Sequence, residues 1–132
     1  MNSKLVREWI KTKSPKFDKY YSGKLDNKYQ KAICIYSLQS QNNRNIAIGG
    51  EETTKTKKNK YSVLIHYDKN YINTEYYSQL LYNTLANARS EEIDEFIIDF
   101  IEMNTDSAID LHTDADGVYE RSIDFTVYYH KK

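Results

Sequence analysis

YSVLIHYDKNYINTEYYSQLLYNTL, residues 61–85, decides the fold class. Its first seven residues are rich in β-branched and aromatic side chains and suit a half-buried strand. Beyond Asn70 the period changes, and Tyr77, Leu80, Leu81, Thr84, Leu85 and Ala88 fall on one side of a 3.6-residue helix. Asn73 or Thr74 supplies its N-cap, with Glu75 in the first turn, where a carboxylate suits the helix dipole. A strand followed directly by a helix places the chain among proteins that layer helices on a sheet.

Upstream, Ala32–Leu38 (AICIYSL) reads as another strand. Before it, Ser3 caps a helix whose buried stripe is Leu5, Val6, Trp9 and Ile10. Lys11 and Lys13 complement the end of that helix, and Ser14-Pro15 stops it. Residues 16–31 read as irregular or as a short hairpin around Ser22-Gly23, anchored by Phe17, Tyr20 and Tyr21. Downstream, Ser90–Glu95 is an acidic break, and Phe96–Met103 is a strand, with a short buried helix as the alternative. Residues 104–117 form a polar connection ending in the turn dipeptide Asp116-Gly117. The last strand, Val118–Tyr129, places Tyr119, Ile123, Phe125, Val127 and Tyr129 on one face. Arg121 interrupts that face near its start, which suits a position at an edge.

The order α-β-β-α-β-β predicts a single α+β domain over 1–132. The expected architecture is two layers: a mostly antiparallel four-stranded sheet with two helices on one face. Between the first two strands, Glu51–Lys60 (EETTKTKKNK) has no apolar side chain. An exposed polar loop is therefore expected at about 39–60.

The 132 residues have room for one core. Hydrophobic content is only 39%, but 13 tyrosines offer large rings with a hydroxyl for half-wet surfaces and interfaces. Formal charge is zero, yet it is split by halves. Residues 1–72 carry 13 Lys and 2 Arg against 6 acids, and residues 73–132 carry 4 basic residues against 13 acids. Each half therefore complements the other, within one fold or between neighbouring copies, and the second option points to self-assembly. Cys34 is the single cysteine, which excludes an intrachain disulfide. The chain shows no apolar stretch resembling a secretion signal and no membrane span, so a reducing cytoplasm is the expected site of synthesis.

Motifs that carry chemistry are missing. His66, His112 and His130 have no second His or Cys at ligand spacing. A calcium loop with its glycine at Gly117 would begin at His112 and end at Ile123, neither of them a suitable ligand. Glu91, Glu92, Asp94 and Glu95 read as a charged connection rather than an acid–base pair. Gly49-Gly50 lacks the phosphate-loop pattern, so no cofactor is expected. An enzyme is the weak reading. Lys55, Lys57, Lys58 and Lys60 beside Tyr61 suggest single-strand nucleic-acid binding, but Glu51, Glu52 and the neutral total oppose it.

Several segments together resemble a known family: YYSGKLDNKYQKAICIYSL (20–38), NIAIGG (45–50), KYSVLIHYDKN (60–70), TEYYSQLLYNTL (74–85) and DGVYERSIDFTVYYHK (116–131). In order and spacing they are similar to the small minor capsid proteins of long-tailed bacteriophages of Gram-positive hosts, and through these to the tail-terminator (tail-completion) proteins. The resemblance covers residues 5–131. It implies a structural virion protein with an α+β domain, made in the host cytoplasm. Family members form a ring, typically a hexamer, that ends the tail tube and meets the head–neck connector. DNA passes through such a ring without specific binding, and no membrane is involved. The stretch 51–59 departs from the family in being more polar and Lys-rich, so its contacts are not carried over.

A ring joins two different patches of the same subunit, a geometry that suits oppositely charged halves. Arg44, Lys55, Lys57, Lys58 and Lys60 are candidate contacts to a neighbouring subunit or the tail tube. Asp106, Asp110, Asp114 and Asp116 are candidate lumen-facing acids that would repel phosphates. The alternatives are a neck or head-completion protein and a small nucleic-acid-binding regulator.

Overall fold

The computed structural model describes residues 1–26, 28–38 and 56–132. The elements run α1 (Ser3–Lys13), β1 (Lys19–Ser22), β2 (Ala32–Leu38), β3 (Lys57–His66), α2 (Tyr71–Ala86), β4 (Arg89–Ile93), β5 (Phe96–Met103), β6 (Ile109–Thr113) and β7 (Tyr119–Lys131). Seven strands join one sheet in the order β1-β2-β3-β7-β5-β4, with β6 also paired to β7. The pair β1–β2 is parallel and the others are antiparallel. This overturns the expected four-stranded two-layer domain: the sheet is mixed and curled into a half-barrel.

Three short strands account for the difference. β1 pairs in parallel with β2, so the stretch expected to be irregular or a hairpin contains a short strand at Lys19–Ser22 and no hairpin at Ser22-Gly23. The acidic break is β4, which pairs with β5 through a tight turn at Asp94, whose φ is 54°. β5 and β6 lie end to end along one edge of β7, because Met103 is opposite Phe125 and Ile109 is opposite Ser122. The polar connection 104–117 therefore contains a strand.

The curl follows from where the apolar side chains meet. Register aligns Ile33 with Ile65, Ile35 with Val63, Val63 with Ile123 and Tyr61 with Phe125, which makes one continuous apolar face. Val6, Trp9 and Ile10 of α1 and Leu81 and Leu85 of α2 belong to the same core cluster. Helix α1 packs on β1 and β2 and also reaches β4, the far end of the sheet, whereas α2 packs on β5 and β7. Both helices begin one to four residues earlier than expected. The Asn2 side chain accepts the Leu5 N–H at 3.1 Å, and the Asn70 side chain accepts the Asn73 N–H at 3.0 Å. The face that α2 buries is also rotated from the expected stripe: Thr74, Ser78, Leu81 and Leu85 are buried, and Tyr77 is only partly so.

Candidate functional site

Arg44 and Lys55 lie outside the described residues. Lys57, Lys58 and Lys60 belong to the first half of β3, so strand begins where a loop is expected. Alternation sends Lys57 to the helix-bearing face and Lys58 and Lys60 to the outer face. Lys58 stands opposite Tyr128, and Lys60 lies between Leu38 and Thr126. The three lysines thus do not form one cluster.

The four candidate acids also separate. Asp106 and Asp116 are exposed. Asp110 turns back on its own strand, where its Oδ1 accepts the His112 N–H at 2.8 Å. Asp114 is committed internally. Its Oδ1 accepts the N–H groups of Asp116 and Val118, and its Oδ2 lies 2.8 Å from His66 Nε2. Burial alone would raise the Asp114 carboxyl, but the Val118 N–H, the His66 ring and the Asp116 N–H outweigh it and hold the group below its ordinary value.

His66 is 1% exposed, and its Nδ1 lies 2.8 Å from the Gln30 carbonyl oxygen. Both ring nitrogens therefore face acceptors. A neutral imidazole has one N–H and satisfies only one of them, whereas an imidazolium satisfies both. Glu120, opposite His66 in register, adds a second carboxyl, which burial raises and the imidazole draws down. This cluster ties the 23–31 connection, β3 and the β6–β7 turn together.

On the opposite face, Arg121 is buried beneath α2 at 8% exposure. Its guanidinium lies 5.3 Å from the Tyr71 ring centroid, a cation–π distance. Its polar contacts are long: 3.7 Å to Glu75 Oε2 and 3.5 Å to the Ala108 carbonyl. Ile72, Glu75, Tyr76, Gln79 and Ser107 surround it in a cavity of about 450 Å³. One wall is held in place by Tyr82 of α2, whose hydroxyl donates to the Thr105 carbonyl at 2.5 Å. Ile72 and Tyr76 on the rim are 66% and 58% exposed. Exposed apolar side chains around a buried charge suit a docking surface.

No group of three or more His, Cys, Asp or Glu residues among those described is arranged to hold a metal ion. No helix of the described residues is long and apolar enough to cross a membrane. Cys34 is fully buried, and burial raises its thiol, which suits a packing role better than a reactive one.

The family model described as "Bacteriophage tail terminator protein" matches residues 1–131. The chain belongs to this family. It is a structural protein of the phage tail and a virion component. No curated protein matches it. The Arg121 groove is a feature that sequence reasoning missed. Arg121 is noticeable in the sequence as a charge on an apolar strand face. Its partners Tyr71 and Glu75 are some fifty residues away and become neighbours only through the α2–β7 packing.

Proposed function

We propose that copies of this terminator close into a ring, typically a hexamer, on the last disc of the tail tube, where they halt tube growth and present a surface to the head–neck connector. The family match over residues 1–131 is the observation that carries this proposal. The opposite charges of the two halves support head-to-tail closure, because a ring juxtaposes different patches of successive subunits. In this scheme the protein is not an enzyme and needs no cofactor. It is made in the host cytoplasm and enters the virion on assembly. Lys58 and Lys60 on the outer face, with Lys57 on the other, remain proposed contacts to a neighbour or to the tube. Asp106 and Asp116 are the exposed acids available to line a channel that DNA traverses without binding.

Tubes assembled from the purified tube protein with this chain present should stop short and carry a ring at one end in averaged electron micrographs. Tubes that grow to the same length with bare ends would count against the proposal.

A further inference from the structure

We infer that the Arg121 groove receives the β4–β5 turn of the next copy of this chain, with the Asp94 carboxylate as the group it binds. This contact presupposes the ring proposed above and assigns its two halves.

The groove is built but incompletely used. A guanidinium has five N–H donors, and Arg121 reaches its two oxygen partners only at 3.5 and 3.7 Å. Glu75 competes weakly, since its side chain is 53% exposed and free to swing away. Asp110, opposite Arg121 in register, has its carboxylate turned to the His112 N–H and the His112 ring. A buried guanidinium with room beside it and an apolar rim fits a carboxylate flanked by side chains that cover Ile72 and Tyr76.

Asp94 has the matching properties. It is exposed, it occupies a two-residue turn between paired strands, and among the described residues it makes no ion pair. The carboxylate of its neighbour Glu95 is already engaged, by Lys131 Nζ at 3.6 Å. Placement favours a second copy over self-docking. Phe96 pairs with Lys131 and Asp110 pairs with Arg121, so the turn and the groove lie near opposite ends of β7. Ten residues of strand separate them by roughly 33 Å. Two complementary patches far apart on one subunit generate a head-to-tail contact, which closes into a ring when the rotation allows.

The test uses phage carrying the full chain with Ile72→Cys and Glu95→Cys, both at exposed positions and with Asp94 left in place, since the native Cys34 is buried and will not interfere. Mild oxidation of intact virions followed by non-reducing electrophoresis should give a ladder of covalent multimers, which neither single variant gives. Quantitative mass spectrometry counts copies per tail in parallel. Several copies per tail without a ladder would overturn this contact and leave the ring intact, whereas one copy per tail would overturn both. If the double variant yields no virions, Asp94→Asn decides: it removes the charge and tolerates the positive φ. Weakening of subunit association by about thirtyfold or more, seen as overlong tails, is expected, and tails of normal length would overturn the contact.

Discussion

His66 Nε2 lies 2.8 Å from Asp114 Oδ2, and His66 Nδ1 lies the same distance from the Gln30 carbonyl oxygen. One ring thereby joins three segments that share no continuous strand. Asp114→Asn keeps the side-chain shape but loses the charge-assisted bond, and should cost about 2 kcal/mol in urea unfolding. A double-mutant cycle with His66→Asn should return a coupling of about 1–2 kcal/mol. Additive single effects would show that the two groups do not interact.

The same carboxylate sets an acid limit. Its folded value lies below the ordinary 3.8, so the stability it contributes is present above that value and fades as pH falls through the lower folded value. Wild type should therefore lose more stability than Asp114→Asn between neutral pH and the acid range. Parallel losses in thermal melts across that range would exclude the carboxylate as the source.

Tyrosines set an alkaline limit. Burial pushes Tyr36 up to about 12 and raises Tyr61 and Tyr67 further. Raised folded values mean that stability is full below pH 10 and declines as pH climbs above it. Phenolate absorbance should rise in two phases, exposed tyrosines first and a second set only on unfolding. A single phase near the ordinary value would refute the burial of these hydroxyls.

The core and the groove rim should respond differently to truncation. Leu81 is fully buried and Ile72 is 66% exposed. Leu81→Ala should cost about 2–5 kcal/mol, and Ile72→Ala should stay within about 0.5 kcal/mol. Equal losses in chemical denaturation would contradict the packing of α2.

Elements that bury their own apolar face were readable from the sequence: the α1 stripe of Val6, Trp9 and Ile10, and the strands around Ile33, Ile65 and Ile123. β1, β4 and β6 were not, because KYYS, RSEEI and IDLHT lack strong alternation and become strands by pairing with a neighbour. Without them the sheet cannot be seen to curl. Helix α2 misled for a related reason: it buries Thr74 and Ser78, small polar side chains that an apolar pattern does not mark. Composition made Asp114 look like one of four similar acids, and only the fold distinguishes it by bringing His66 to it.

Loss of the gene from its phage, with tail lengths read by negative-stain electron microscopy, tests the terminator role most directly. Overlong tails without heads are predicted. Tails of normal length that fail to join filled heads would contradict tube termination and move the protein to the neck, and an unaffected phage would remove it from assembly altogether.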